Sequence, residues 1–419
     1  MLLVCAILFS LAGCASVKPD TAEKTETSGK TENKDLMQTI TPVQKEKEPI
    51  KPEAVTAASD FGLRLLQAAN DPGHNTLISP LSVLSALAMT ANGAENDTLL
   101  EMENTLGMRR DQYNDFFYSY KSSIRYSNSL KLANSIWFTD RNGFVPNEGF
   151  LTVNATCFGA DAYLAPFDNS TVERINGWVK DNTDGMIPSI LNEIPDEAEM
   201  YLVNALAFDA KWMSPYEKFD VQPREFTAED GTKQRVEFMW SEEGTYLSDD
   251  NATGFIKLYE DRKYAFVALL PNEGTSVEAY LDSLDGKKLQ DMFANSSFES
   301  VVAATPKFET ETDLVLNESL EAMGMRLPFD RKKADFSSLG TSPNGKIYIS
   351  RVLHKTFMAV DEEGTRAGAA TSVEMAAGAA ADEEPPKYVI LDRPFVYMLI
   401  DCETNLPFFI GTMMNPAEQ

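Results

Sequence analysis

A strand-like alternation inside a loop-like segment constrains this chain more than any other feature. Residues 361–386 read DEEGTRAGAATSVEMAAGAAADEEPP and are rich in alanine and glycine. These residues do little to keep an exposed segment in one conformation. Every second residue from Thr365 to Ala377 is nevertheless small or apolar, and the charges fall on the intervening positions. A linker needs no such alternation. The pattern predicts a segment that can be a loop or a strand of about thirteen residues, roughly twice the usual length.

The first residues are typical of a secreted lipoprotein. Met1–Ala12 is an apolar run, too short to cross a bilayer and suited to a signal peptide. Leu11-Ala12-Gly13-Cys14 resembles a bacterial lipoprotein cleavage box, although no Lys or Arg precedes the apolar run. We therefore predict a signal peptide over 1–13, acyl chains on Cys14 that anchor the protein to the lipid bilayer, and a location in the bacterial envelope. The alternative is a plain signal peptide with an incidental cysteine.

The rest of the chain divides by composition. Residues 14–58 are rich in Lys, Glu, Thr and Pro and are predicted to be a disordered tether. Residues 59–419 are globular in composition and without internal repeats, so we predict one monomeric domain. The net charge is −27, from 37 basic and 64 acidic residues. Without a basic cluster, this balance argues against nucleic acid as a partner.

Residues that could carry catalysis are few. The chain has two histidines, His74 and His354, and no cysteine pair with ligand spacing, so we predict no metal site. Gly340–Lys346 matches a phosphate-binding loop, but Ile347 replaces the hydroxyl residue that would bind magnesium. Because strand-like residues 347–350 follow it, we predict a hairpin turn.

Of the four cysteines, Cys5 lies in the predicted signal peptide and Cys14 would carry lipid, and the other two offer the other route to catalysis. A Cys–His protease could use Cys157 or Cys402 with His354, but Cys402 ends an apolar strand with nothing nearby to lower its thiol pKa. We therefore predict that the protein is not an enzyme. We predict that both cysteines are buried free thiols, with a disulfide between them as the alternative.

Hydrophobic periodicity places helices early and strands late, an order typical of the α+β class. The predicted helices are Ser59–Ala69, Val83–Ala91, Thr98–Leu106, Val172–Asn182 and Leu314–Met323. The predicted strands are Leu130–Phe138, Ala160–Ala165, Met200–Ala210, Arg235–Trp240, Gly254–Tyr259, Tyr264–Leu270, Ser300–Phe308, 347–360, 388–391, 393–402 and 407–413. Ser79 and Pro80 are suited to the cap and first turn of the second helix.

A series of motifs, in order along the chain, resembles the serpins. It includes Ser79-Pro80-Leu81-Ser82, Ile175–Ile187, Leu202–Trp212, Pro306-Lys307-Phe308, Val352–Lys355 and Arg393-Pro394-Phe395. The resemblance covers nearly all of 59–419. It implies an α+β fold with N-terminal helices, a large central mixed sheet, smaller sheets and an exposed reactive-centre loop over 361–386.

The resemblance also implies a mechanism that needs no cofactor. A target protease cleaves the loop and forms a covalent acyl-enzyme, and the cleaved loop then enters the large sheet as a strand and traps the protease. The hinge of that movement would comprise Glu362, Glu363, Gly364, Thr365, Ala367, Gly368, Ala369, Ala370 and Thr371. Small inward residues suit insertion, because a buried unpaired charge costs several kcal/mol. Arg366 and Gly368 depart from the family pattern, at positions expected to point outward.

The scissile bond is located by two counts that disagree. The family spacing from Glu362 gives Gly378–Ala379, whereas counting back from Pro385-Pro386 points nearer Asp382. Small residues over 376–381 suit elastase-like or subtilisin-like serine proteases, or cysteine proteases that accept small residues. The alternative function is a non-inhibitory serpin-fold lipoprotein that binds or scaffolds.

Five further residues are implied by the resemblance. Ser79, Ser82, Asn204 and His354 correspond to a polar group beneath the centre of the sheet that controls its opening, and Trp212 to the aromatic residue where insertion begins. His354 would then be a buried, hydrogen-bonded histidine and not a catalyst.

Overall fold

The computed structural model of the protein describes residues 34–141, 143–195, 198, 200–343, 347–366 and 385–418. Within these residues the α-helices are α1 Pro52–Ala69, α2 Pro80–Ala91, α3 Asn96–Leu106, α4 Arg110–Ile124, α5 Glu148–Phe158, α6 Asn169–Asn182, α7 Val277–Ser283, α8 Gly286–Ala294 and α9 Asn317–Ala322. None of the described helices is long and apolar enough to cross a bilayer. The signal peptide, Cys14 and the tether up to residue 33 lie outside the described residues.

Along the sequence, the strands lie between these helices and predominate in the second half of the chain. They are β1 Lys34–Asp35, β2 Thr76–Ile78, β3 Leu130–Thr139, β4 Val145–Pro146, β5 Asp161–Ala165, β6 Met200–Phe208, β7 Ala210–Lys211, β8 Val221–Thr227, β9 Lys233–Glu243, β10 Tyr246–Ser248, β11 Ala252–Leu258, β12 Tyr264–Pro271, β13 Val301–Pro306, β14 Phe308–Val315, β15 Gly340–Thr341, β16 Leu353–Val360, β17 Gly364–Arg366, β18 Lys387–Ile390, β19 Phe395–Asp401 and β20 Leu406–Met413. The predicted α+β class is confirmed.

Four sheets organise most of these strands. One has the order β1-β5-β3-β6, and a second has the order β14-β16-β17-β7. A six-stranded sheet, β10-β11-β12-β19-β20-β2, and a four-stranded sheet, β18-β13-β9-β8, complete the framework. Helix α2 is buried along its whole length. Ser79 caps it by accepting a hydrogen bond from the Ser82 amide, and Pro80 begins it, as predicted.

The folded part begins earlier than the predicted boundary at residue 59. Helix α1 begins at Pro52, and its first turns already bury Ala54 and Val55. Before it, Lys34–Asp35 pair with the edge strand β5, and Leu36 is buried and donates its amide to Ala162. The prediction of disorder therefore does not hold for residues 34–39 and 52–58. Composition misses Lys34–Leu36 because main-chain hydrogen bonds to an existing sheet edge hold these residues, and not a core of their own.

Removal of this segment is expected to destabilise the domain. A chain that starts at Lys51 loses the strand pairing of Lys34–Asp35 and the burial of Leu36, which a chain that starts at Lys34 retains. Burying a leucine contributes about 2 kcal/mol, so we expect the shorter chain to melt several degrees lower in a thermal scan. Equal melting temperatures for the two chains would contradict the pairing.

Other boundaries also differ from the prediction. The predicted helix Leu314–Met323 begins as strand β14, which alternates buried and exposed residues, and only Asn317–Ala322 are helical. Residues 347–352 are not a strand. Instead of forming a hairpin, Gly340–Thr341 pair with Val145–Pro146, and residues 344–346 of the predicted turn lie outside the described residues.

Candidate functional site

The candidate site is a seam between β6 and β16, two strands that belong to different sheets. Within the described residues these strands are not paired with each other, although β6 continues through Asp209 into β7 of the second sheet. Two small cavities of about 20 Å³ each lie along the seam. A further strand in the seam would therefore find main-chain partners on both sides.

One end of the seam already holds a short strand from the start of the segment 361–386. In β17, Thr365 pairs with Val360 of β16 on one side and with Ala210 of β7 on the other. The prediction of an exposed loop from residue 361 is therefore wrong for its first residues, since Gly364 and Thr365 are buried. Gly364 fits because it has no side chain: a Cβ atom there would lie 2.1 Å from the Ala210 carbonyl oxygen.

A compact turn between β16 and β17 is held by main-chain hydrogen bonds. The amides of Trp212 and Tyr216 donate to the carbonyl oxygens of Glu363 and Glu362, both at 2.9 Å. The Trp212 indole Nε1 donates to the Asp361 carbonyl oxygen at 2.8 Å. The Asp361 carboxylate accepts hydrogen bonds from the amides of Glu363 and Gly364. The start of the loop is thus fixed in place, with Trp212 adjacent to it as the resemblance implies.

Thr365 is the buried side chain of this strand. It is 2% exposed, and its hydroxyl lies 2.5 Å from the Tyr259 hydroxyl. The Tyr259 ring stacks on Trp212 with centroids 4.6 Å apart. Burial raises the pKa of Tyr259 well above its usual value, so its hydroxyl stays protonated and available for hydrogen bonding. The pocket around Thr365 therefore fits a small side chain with a hydroxyl group, and a charged side chain there would be buried without a partner.

A buried ion pair lies beneath the rings of Trp212 and Tyr216. Lys257 Nζ is 2.8 Å from Glu243, and the side chains are 4% and 11% exposed. The ammonium also lies 4.4 Å from the Tyr216 ring centroid and 5.4 Å from that of Trp212. Burial alone would lower the pKa of Lys257, but Tyr216 and Glu243 raise it above its usual value. Lys257 therefore stays charged and supports the two residues that hold the turn.

A polar network lies under the middle of the seam. Ser82 donates its hydroxyl hydrogen to the Asn204 side-chain oxygen. The Asn204 amide donates to Asn134 Oδ1 at 2.6 Å, and the Ser85 hydroxyl donates to the same oxygen at 2.9 Å. Asn134 in turn donates to the Phe158 carbonyl oxygen at 3.3 Å. Because these groups are largely buried, each depends on the others for its hydrogen bonds.

His354 lies beside this network and not within its chain of amides. It is buried, and its Nε2 accepts a hydrogen bond from the Ser79 amide at 3.0 Å. Burial lowers the pKa of His354 to about 4, so the ring is neutral at physiological pH. The four residues implied by the resemblance thus form two pairs, Ser79 with His354 and Ser82 with Asn204, and the Ser79 side chain joins them by accepting from the Ser82 amide.

His354 makes stability depend on pH. An unfolded histidine titrates near 6.5 and the native one near 4, so the unfolded state binds the proton first as pH falls. Stability is therefore fully present above about pH 6.5 and is lost down to about pH 4, by about 3 kcal/mol. We expect His354→Gln to remove this loss when free energies of unfolding are measured between pH 7 and 4. Parallel pH curves for the two proteins would contradict the assignment.

The remaining candidate residues do not form a catalytic centre. Cys157 and Cys402 are free, which excludes the disulfide alternative, and burial raises the pKa of both thiols, that of Cys402 to about 12. A thiol with a raised pKa is a poor nucleophile at neutral pH. His74 is exposed, with Nδ1 2.6 Å from a Glu418 carboxylate oxygen. The described residues contain no group of three or more acidic, histidine or cysteine side chains that could hold a metal ion.

Several residues of the site were not identified from the sequence. They are Ser85, Asn134, Tyr216, Glu243, Lys257 and Tyr259. Lys257 had a detectable signal, because a lysine inside the apolar strand Ala252–Leu258 requires a buried partner. The other part of the predicted hinge, Ala367, Gly368, Ala369, Ala370 and Thr371, and the predicted bond Gly378–Ala379 lie outside the described residues.

Comparisons with known proteins agree on one family. A model of the family described as "Serpin (serine protease inhibitor)" matches residues 56–416. An uncharacterized serpin-like protein of Thermococcus kodakarensis is 29% identical, over 100% of this chain and 99% of its own length. The leukocyte elastase inhibitor A of Rattus norvegicus is also 29% identical, over 86% of this chain and 99% of its own. The crystal structure of the thermophilic serpin tengpin in the native state has a TM-score of 0.86 and 45% identity, covering 91% of this chain and 99% of that one.

Proposed function

Because the chain belongs to the serpin family, we propose that it is a protease inhibitor that acts once, by trapping its target. The target protease attacks the loop beyond Arg366 and becomes covalently linked to it as an acyl-enzyme. The freed part of the loop then extends β17 along the seam between β6 and β16. This movement carries the protease along, and the active site of the protease is distorted before the ester is hydrolysed.

The observation that supports trapping is the position of β17. Thr365 already pairs with strands on both sides of the seam, so a strand that continued in register from β17 would lie between β6 and β16. Alternate residues after Thr365 are small or apolar in the sequence, namely Ala367, Ala369, Thr371 and Val373. A strand with this pattern buries no charge as it is inserted.

The loop sequence indicates the target class. We place the scissile bond at Gly378–Ala379, among small residues that suit the shallow pockets of elastase-like or subtilisin-like serine proteases. A relative with the same fold is named a leukocyte elastase inhibitor, which agrees with this preference. The absence of Lys and Arg between Ala367 and Pro386 argues against trypsin-like targets.

The test is incubation with a panel of elastase-, subtilisin-, trypsin- and papain-like proteases, followed by denaturing electrophoresis and mass spectrometry. We expect an SDS-stable adduct with an elastase-like or subtilisin-like protease, and a released C-terminal fragment that begins at Ala379. Cleavage in the loop without an adduct, for every protease, would contradict trapping and would favour a non-inhibitory binding or scaffolding role.

The location of the protein is a second, separable part of the proposal. Acylation of Cys14 would anchor the protein in a bacterial envelope, where the inhibitor would meet proteases from outside the cell or from the periplasm. We expect Cys14→Ala to move the protein from the membrane fraction to the soluble fraction while its inhibitory activity is unchanged. Equal membrane association of both proteins would contradict lipid anchoring at this residue.

A further inference from the structure

A third cavity, of about 720 Å³, lies beside β3 and shares Asn134 with the polar network under the seam. It is bounded by the C-terminal half of α4, the start of β3, the end of α6 and the segment Pro42–Gln44. Cavities of roughly 300–1,000 Å³ are the size that small ligands occupy in proteins.

The cavity exists because β3 is longer than its neighbour. Strand β6 pairs with Leu130–Phe138, whereas β5 pairs only with Ser135–Thr139. The carbonyl oxygen of Ser129 accepts from the Asp209 amide, so main-chain groups of Ser129 and Lys131 face β6. Those of Leu132 consequently face the opposite side, where β5 does not reach, and are open to the cavity.

The walls combine apolar surface with positive charge. Val43, Tyr118 and Leu132 supply apolar surface that is not fully buried, and the cations Lys121, Arg125 and Lys131 line the same space. Asp181 is the single carboxylate residue among the lining residues, in a chain whose net charge is −27. A local excess of cations in so acidic a protein favours an anionic ligand at this position.

Two of the cations are available to a ligand. Arg125 is exposed and makes no ion pair within the described part of the chain, where its contact is the Tyr126 ring at 5.4 Å. Lys121 donates to the Thr156 carbonyl oxygen at 2.6 Å, and burial lowers the pKa of Lys121. An anion beside Lys121 would relieve this unfavourable environment. Lys131, in contrast, is shared with Asp184.

We propose that this cavity binds a single-chain anionic amphiphile, with the carboxylate against Lys121 and Arg125 and the hydrocarbon tail against Val43, Tyr118 and Leu132. A carboxylate accepts charge-assisted hydrogen bonds from both cations. An unbranched tail gains free energy by covering apolar surface that water would otherwise contact. The site shares Asn134 with the polar network under the seam, but the proposal does not depend on protease inhibition.

The probe is dodecanoate, titrated calorimetrically below its micelle concentration into the purified full chain. Dodecyltrimethylammonium tests the charge with the same tail, and acetate tests the head without a tail. We expect one dodecanoate site and no measurable binding of the other two. Equal binding of the cationic amphiphile, several equivalent sites, or no dodecanoate binding would each overturn the proposal.

Variants locate the site. We expect Arg125→Gln, at an exposed position that folding does not require, to weaken dodecanoate binding by about tenfold, and Lys121→Gln/Arg125→Gln to weaken it further. Lys332→Gln is the matched control, because Lys332 is exposed and does not line the cavity. Unchanged affinity in both cavity variants would assign any binding to a different surface and overturn the proposal.

Discussion

Thr365→Arg is expected to convert the protein from an inhibitor into a substrate. Thr365 is 2% exposed and is hydrogen-bonded to Tyr259, so an arginine there expels β17 or buries a charge without a partner. Either outcome raises the free energy of the inserted strand by several kcal/mol, and 1.4 kcal/mol corresponds to about a tenfold change in rate. We expect the number of inhibitor molecules consumed per protease trapped to rise more than about tenfold.

The matched control is Thr365→Ser, which keeps the hydroxyl group and the small volume. We expect this variant to trap as well as the parent protein, in titrations of residual protease activity and in gels that detect the adduct. If Thr365→Arg traps with unchanged stoichiometry, entry of the strand that begins at Thr365 into the seam cannot be the step that competes with hydrolysis of the acyl-enzyme.

Lys257→Met is expected to produce the largest loss of stability of any single change considered. It leaves Glu243 as an unpaired charge that is 11% exposed, and removal of one member of a buried ion pair costs about 3–5 kcal/mol. It also removes the cation beneath Tyr216 and Trp212, whose amides hold the turn before β17. Urea unfolding monitored by circular dichroism measures the first effect, and trapping stoichiometry measures the second.

Two variants separate charge from packing. Lys257→Met/Glu243→Leu removes both charges, and its stability should return to within about 1 kcal/mol of the parent protein or exceed it. Lys287→Met breaks the exposed pair with Asp291 and should leave the free energy of unfolding nearly unchanged. A double variant as unstable as Lys257→Met would show that the lysine stem, and not the unpaired carboxylate, accounts for the loss.

The sequence predicted the strands of the site more accurately than the helices around the site. The apolar run Met200–Ala210 indicated a strand covered on both faces, and it forms β6 and the start of β7. Helix α4 was not predicted, because its buried face consists of aromatic residues such as Phe116 and Tyr120 among many polar ones. Aromatic side chains do not distinguish helix from strand by type alone.

Contacts between distant segments were the part that the sequence could not supply. The alternation from Thr365 predicted a strand, but the depth to which it enters the sheet depends on Tyr259 and Trp212, which lie more than a hundred residues earlier. The polar group under the seam was predicted in part, through Ser82 and Asn204. Asn134 completes it from a strand whose sequence is otherwise typical of an apolar core.

The early pairing of β17 has a kinetic consequence. Starting a new strand in a sheet is the costly step, because several backbone dihedrals are fixed before many hydrogen bonds repay that loss of entropy. Under the trapping mechanism proposed above, the nucleus for insertion exists before any protease arrives, because Gly364 and Thr365 are already ordered between two strands. Each later residue then only adds hydrogen bonds to a strand that is already paired. Speed matters for such an inhibitor because the acyl-enzyme ester hydrolyses at its own rate, and a nucleus formed in advance shortens the interval in which the protease can escape.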